Sequence, residues 1–149
     1  MVLAKLVETM ITVFTNKIFL SCLFAWLLAQ LFKVVSTSIR EKRFAISRIF
    51  ALGGMPSSHT ATITALLLAT YLDQQITPLT IAIFIIALIV IRDSFGVRQE
   101  VGKHAKVLNK LAARRTEFEK LEELIGHTLP EVVVGGLLGI LVPMIIYLL

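Results

Sequence analysis

Long apolar runs separated by short polar turns dominate the chain from residue 18 onward. A helix that crosses a bilayer needs about 20 mostly apolar residues. Four segments approach that length: 18–38, 57–73, 76–92 and 128–149. The first is interrupted by Ser21, Gln30 and Lys33; the cores of the second (59–72) and third (76–91) carry no charged residue; the fourth carries one, Glu131 near its start. The second and third are short, and local bilayer thinning or the polar turns at their ends accommodate them. A soluble bundle needs polar outer faces, and 81–91 has none. The pattern predicts an all-α, polytopic membrane helical bundle of about four spans, a single membrane domain over 1–149.

The long polar stretch between the third and fourth spans is also periodic. Val97, Val101, Leu108, Leu111, Phe118, Leu121 and Ile125 recur at helical spacing. This predicts a polar amphipathic helical segment over 93–126, lying on the membrane surface with its cations near anionic head groups. At the other end, Lys5 and Lys17 bracket a weakly amphipathic stretch containing Glu8, and no clean small-residue cleavage site follows. It reads as an interfacial helix leading into the first span, not a removed signal.

Composition agrees. Hydrophobic residues make up 56% of the 149, charged residues 17%, and mean hydropathy is +0.84. Soluble domains carry about 25% charged residues. Cys22 is the single cysteine, which excludes a disulfide framework or a cysteine-built metal site within the chain. The net charge is +5, and the cations cluster: Arg40, Lys42, Arg43 and Arg48 between the first two spans, and a second group over 92–120. The turn at Asp73 holds none. The positive-inside bias puts both basic segments on the cytoplasmic side, of a bacterial-type cytoplasmic membrane or an organelle equivalent. The glutamates interspersed at Glu100, Glu117, Glu119, Glu122 and Glu123, and the lack of exposed aromatics, argue against nucleic acid.

Three short elements carry candidate chemistry. In Gly53-Gly54-Met55-Pro56-Ser57-Ser58-His59, Ser57 is a good N-cap, and the helix N-terminus it opens suits a phosphate, with His59 in the first turn as a proton donor. In Gly126-His127-Thr128-Leu129-Pro130-Glu131, the histidine and the acid lie four apart and share a helix face. A carboxylate on one ring nitrogen fixes the tautomer and raises the nucleophilicity of the other. In Arg92-Asp93-Ser94-Phe95-Gly96-Val97-Arg98, arginine offers bidentate phosphate binding, but Arg92 reads rather as part of a membrane-edge cluster with an internal ion pair. His59 and His127 are 68 positions apart, yet the four-span topology places them on one side at similar depth, with Lys33, Arg40, Lys42 and Arg48.

These motifs, together with Leu108-Asn109-Lys110, resemble the divergent branch of the type-2 phosphatidic acid phosphatase superfamily, also described as acid phosphatase/vanadium-dependent haloperoxidase-related proteins. The resemblance runs from Lys33 onward. In the parent superfamily a Pro-Ser-Gly-His motif supplies a general acid, a Ser-Arg-x5-His-x3-Asp motif the nucleophilic histidine and its orienting acid, and a Lys-x6-Arg-Pro motif holds phosphate. By this resemblance His59 matches the acid, with Pro56-Ser57-Ser58 as its phosphate-binding turn. His127 matches the nucleophile, with Glu131 replacing the aspartate. Ser58 stands where the motif has glycine, and Leu121 where it has arginine. Lys42 and Arg48 stand one residue closer than the Lys-x6-Arg-Pro spacing, and no proline follows Arg48. Arg98 substitutes for the missing arginine from another helix.

The resemblance implies a membrane phosphatase without metal or cofactor that hydrolyses a phosphate monoester or diphosphate on an amphipathic substrate. The expected catalytic residues are His127, His59 and Glu131. Arg98, Arg48, Lys42, Ser57 and Ser58 would bind the phosphate, with Asp93 and Lys33 in support. The partners are membrane lipids and the phosphate-bearing substrate, and four short spans leave room for a homodimer. The rival is a non-enzymatic membrane protein that binds or transports phosphate-bearing lipids with the same pocket. Gly135 and Gly139 form a small-xxx-small face suited to close helix contact or dimerisation.

Overall fold

The computed structural model describes residues 1–42, 53–112 and 118–149. Arg48 lies outside the described residues. Among the described residues six helices follow in order: α1 (Val2–Thr15), α2 (Lys17–Glu41), α3 (Ser58–Gln74), α4 (Pro78–Phe95), α5 (Val97–Ala112) and α6 (Leu129–Leu148). The described residues contain no named strand.

Local chemistry explains where the helices start. The Asn16 side chain accepts from the amides of Ile18 (2.9 Å) and Phe19 (3.1 Å), which ends α1 and opens α2. Thr77 and Thr80 form a reciprocal capping box at α4, with Pro78 in its first turn, where a missing N–H costs nothing. Ser57 caps α3 by accepting from the Thr60 amide at 3.3 Å.

Among the described residues three helical stretches are long and apolar enough to cross a membrane: Lys17–Ile39, Pro78–Ala112 and Leu129–Leu148. The expected count of four is therefore approximate. At 17 residues α3 is the shortest of the apolar helices, about 26 Å long at 1.5 Å per residue. It is also the central one, packed against α2, α4 and α6. Its buried face is built from Ala61, Ala65 and Ala69, against Ala25 and Ala29 of α2 and Gly135 and Gly139 of α6. Lipid tails are as apolar as leucine, so close backbone approach between small residues has to replace the hydrophobic drive between helices. The bulky side chains point outward: Phe84, Ile85, Leu88 and Ile89 of α4 are all exposed. The glycine stripe of α6 is spent within the chain. A Cβ on Gly139 would meet the Ala61 carbonyl oxygen at 2.5 Å and Thr64 Cβ at 2.8 Å.

The polar segment departs from its expected form. It is helical through Ala112, but 118–128 is irregular. Asn109 accounts for the difference. Its Nδ2 donates to the Leu121 carbonyl (2.9 Å) and to Glu123 Oε1 (2.8 Å), and its Oδ1 accepts from the Leu121 amide (2.9 Å). One side chain thus satisfies backbone groups that a helix would have paired internally. Gly102 leaves room for the strap, since a Cβ there would lie 2.8 Å from the Glu123 carbonyl oxygen. The apolar residues Phe118, Leu121 and Leu124 sit on this exposed strap, not on a helical face.

The two ends of the bundle differ. At one end Tyr147 of α6 reaches Asp73 of α3 (3.4 Å), with Lys17 of α2 over its ring at 5.4 Å. The other end gathers the C-terminal part of α2, the N-termini of α3 and α6 and the end of α4.

Candidate active site

Three backbone contacts and one side-chain bond assemble the second end. The Ser57 amide donates to the Glu131 carbonyl at 3.0 Å, and the His127 amide donates to the Ser94 carbonyl at 2.9 Å. Gly53 pairs with Gly126 in an isolated parallel bridge. Ser36 Oγ donates to the Met55 carbonyl at 3.2 Å. Gly54 (φ 99°) and Gly126 (φ 83°) take left-handed conformations that an L side chain resists. Gly126 also lets the strap touch the start of α5 at Gln99.

His127 is the centre of this end. Its side chain is 1% exposed, and Nδ1 lies 3.3 Å from Glu131 Oε2. The same carboxylate oxygen accepts from the Thr128 amide at 3.0 Å. Glu131 is the acid of a capping box opened by Thr128, so one carboxylate both caps α6 and holds the imidazole. With that carboxylate ionised, the bond needs a proton on Nδ1 and leaves the lone pair on Nε2. Nε2 is buried and has no hydrogen-bond partner among the described residues. A buried polar atom left unpaired costs about 1–3 kcal/mol. Helix capping explains Glu131 but leaves that cost unexplained.

The His59 ring lies 6.2 Å from the His127 ring, centroid to centroid, tilted by 59°. His59 is in the first turn of α3 and exposed, whereas Ser57 and Ser58 are buried. The amide of Ser57 is engaged by Glu131, and its hydroxyl accepts from both Thr60 N and Thr60 Oγ1. Ser57 thus serves as a cap and a tie. Arg98 Nε donates to Asp93 Oδ2 at 2.5 Å, and both side chains are about two-fifths exposed. Arg92 stacks over Phe95 at 5.2 Å, so the ion pair of this cluster belongs to Arg98.

A cavity of about 200 Å³ adjoins His127. Lys33 and Thr37 of α2, the Gly53-Gly54 turn, the strap from Glu123 to Thr128, and Glu131 wall it. Arg98, Ser57, Ser58 and His59 are not part of that wall. Lys42 is exposed at the left-handed C-cap of α2, away from it.

Lys33 occupies a more central place than its supporting role in the sequence reading. It is 2% exposed on a helix that crosses the membrane, and its aliphatic stem would lie 3.6 Å from a Cβ on Gly54. The signal was present in the sequence. Arg40 follows Lys33 at the Lys-x6-Arg spacing, in the same helix, with Glu41 where the superfamily motif has proline. Asn109, which carries no role in the sequence reading, fixes the strap that ends in His127.

Residues 14–142 match the divergent PAP2 family. The chain is 36% identical over 149 aligned residues to an uncharacterized membrane protein, YuiD, of Bacillus subtilis (strain 168), covering 89% of this chain and 94% of the relative. No solved structure matches. The matched span takes in every helix from α2 to α5 and most of α6, together with both histidines and Glu131; this chain belongs to the divergent PAP2 family.

Proposed function

We propose that this membrane protein hydrolyses a lipid-type phosphate monoester or diphosphate through a phosphohistidine on His127, at the cytoplasmic face of the membrane. One observation supports the reading above all: Glu131 engages Nδ1 of a buried imidazole whose Nε2 is unpartnered among the described residues, with a second histidine ring 6.2 Å away.

In the proposed reaction Nε2 of His127 attacks phosphorus in line, the bond to the leaving oxygen breaks, and His59 gives that oxygen its proton. Water then attacks phosphorus, its proton passes to His59, and the phosphorus–nitrogen bond breaks. Glu131 stabilises the imidazolium while the phosphoryl group is attached. Lys33, and Arg98 once its carboxylate partner is exchanged for phosphate, supply positive charge to the phosphoryl oxygens. Catalysis of this kind rests on positioning and preorganised charge.

The second reading is phosphate-lipid binding or transport without turnover. Two observations favour it: Leu121 stands at the motif arginine's position, and Arg98 is already held by Asp93.

The test is purified protein in proteoliposomes with chelator present and radiolabelled phosphatidic acid or isoprenyl diphosphate as substrate. An acid-labile, base-stable phosphoprotein that disappears in His127→Asn selects the enzyme. Saturable phosphate binding without release of inorganic phosphate selects the binder.

A further inference from the structure

Helix α5 has three sides with different fates. Gly102, Ala105 and Asn109 form the side covered by the strap: the first two are buried, and Asn109 holds Leu121. Lys103, Lys106 and Lys110 form an exposed cationic side. Val97, Val101, Leu108 and Leu111 share the remaining side at one-face helical spacing, with His104 among them; all five are exposed, Leu111 at 77% and Val97 at 65%. Among the described residues α5 packs against α4 and no other helix. A mostly aliphatic stripe of this kind is a poor surface to leave in water.

We propose that this stripe is seated in the interfacial layer of the bilayer, with Lys103, Lys106 and Lys110 against anionic lipid head groups. The inference is independent of whether the site hydrolyses phosphate. Three features select a lipid surface. First, α5 begins one residue after α4, at a helix break on Gly96 (φ −105°, ψ −93°), so the stripe starts where an apolar helix leaves the membrane. Second, the lysines lie on the side of α5 away from the stripe, the arrangement of an interfacial helix with a basic polar face; Lys103 is also paired with Glu100 at 2.7 Å, and the remaining positive charge complements an anionic leaflet. Third, apart from His104 the stripe is Val and Leu, whereas protein-docking hot spots are enriched in Trp, Tyr and Arg.

The seating also bears on the site. The strap fastened to the covered side of α5 runs directly into His127. A helix held at fixed depth by lipid therefore holds that ring at a fixed place over the ends of α3 and α6.

The experiment uses the full chain with Cys22→Ser and one of Val101→Cys, Leu108→Cys or Lys106→Cys, each labelled with an environment-sensitive fluorophore. The proteins are reconstituted in phosphatidylcholine alone or mixed with phosphatidylglycerol. Quenching is read with lipid-borne spin labels and with aqueous iodide. Labels at positions 101 and 108 should be quenched from the lipid and shielded from iodide, with the reverse at 106. The lipid quenching at 108 should increase with phosphatidylglycerol. That increase should vanish in Lys103→Gln/Lys106→Gln/Lys110→Gln, whose preference for the anionic bilayer falls about fivefold for each charge removed. Iodide access at 101 and 108 in both bilayers overturns the proposal. So does protection from both quenchers, as a protein partner or a second copy would give, and so does lipid quenching that ignores head-group charge.

Discussion

The amide of Ser57 donates to the carbonyl of Glu131 at 3.0 Å, so the turn that presents His59 is tied directly to the helix turn that orients His127. Two segments far apart in sequence become one rigid edge. Gly135 makes the approach possible, because a Cβ there would collide with the Ser57 carbonyl oxygen. Gly135→Val should therefore destabilise the fold by about 1–3 kcal/mol through overpacking. Gly136→Ala, whose Cβ would meet Thr60 Cγ2 at an ordinary 3.8 Å, should be tolerated. Thermal unfolding of both variants in the same detergent checks the contrast, and equal losses would refute it.

The carboxylate of Glu131 holds Nδ1 of His127 and the Thr128 amide together. Glu131→Gln keeps the capping geometry but can no longer stabilise an imidazolium. If His127 forms the phosphoenzyme, this variant should lose up to about 10⁴-fold in turnover with little change in helical content by circular dichroism. His59→Ala should slow turnover by about 10²–10⁴-fold, as for a general acid. Burst-phase phosphoenzyme should still form in His59→Ala with a good leaving group such as p-nitrophenol, which needs no proton. Failure of that rescue would remove the acid role from His59.

Lys33 is a buried cation on the cavity wall, whereas Lys42 is exposed at the end of α2. Lys33→Met keeps length and apolar stem while deleting the charge. A charged hydrogen bond is worth about 1.5–3 kcal/mol, so phosphate or vanadate affinity should fall by roughly 10- to 100-fold. Lys42→Gln should change affinity by less than about fivefold. Titration calorimetry at fixed salt distinguishes the two; equal effects would place the phosphate elsewhere.

Three hydrogen bonds from one amide side chain hold the strap to α5. Asn109→Ala should release it, at a cost of about 1–3 kcal/mol for the backbone groups left unpaired. Amide hydrogen exchange should quicken across 121–127 while α2, α3 and α6 keep their protection. Unchanged exchange in the strap would show that Gly102 and Gly126 contacts suffice to hold it.

Several features were legible residue by residue. The long apolar runs became α2, α4 and α6 because burying unpaired backbone in lipid forces helix formation along any sufficiently apolar stretch. Ser57 starts its helix as its side chain requires. His127 and Glu131 meet because four positions is one helical turn. The strap was not legible. Phe118, Leu121 and Ile125 repeat at helical spacing, and that signal lost to the side chain of Asn109, a competitor outside the window in which periodicity is read.

Sequence alone determined that this chain lives in a membrane, where its helices begin, and which titratable groups it can bring to chemistry, because those properties follow from short-range spacing and from transfer of side chains between water and lipid. The tertiary structure decided which of those groups meet. Small residues at Ala61, Ala65, Gly135 and Gly139 bring α3 and α6 close enough to put the two imidazoles 6.2 Å apart. The packing of α2 beside them buries Lys33 at the cavity and leaves Lys42 outside it. Such choices rest on contacts between segments distant in the chain, whose closeness no local pattern encodes.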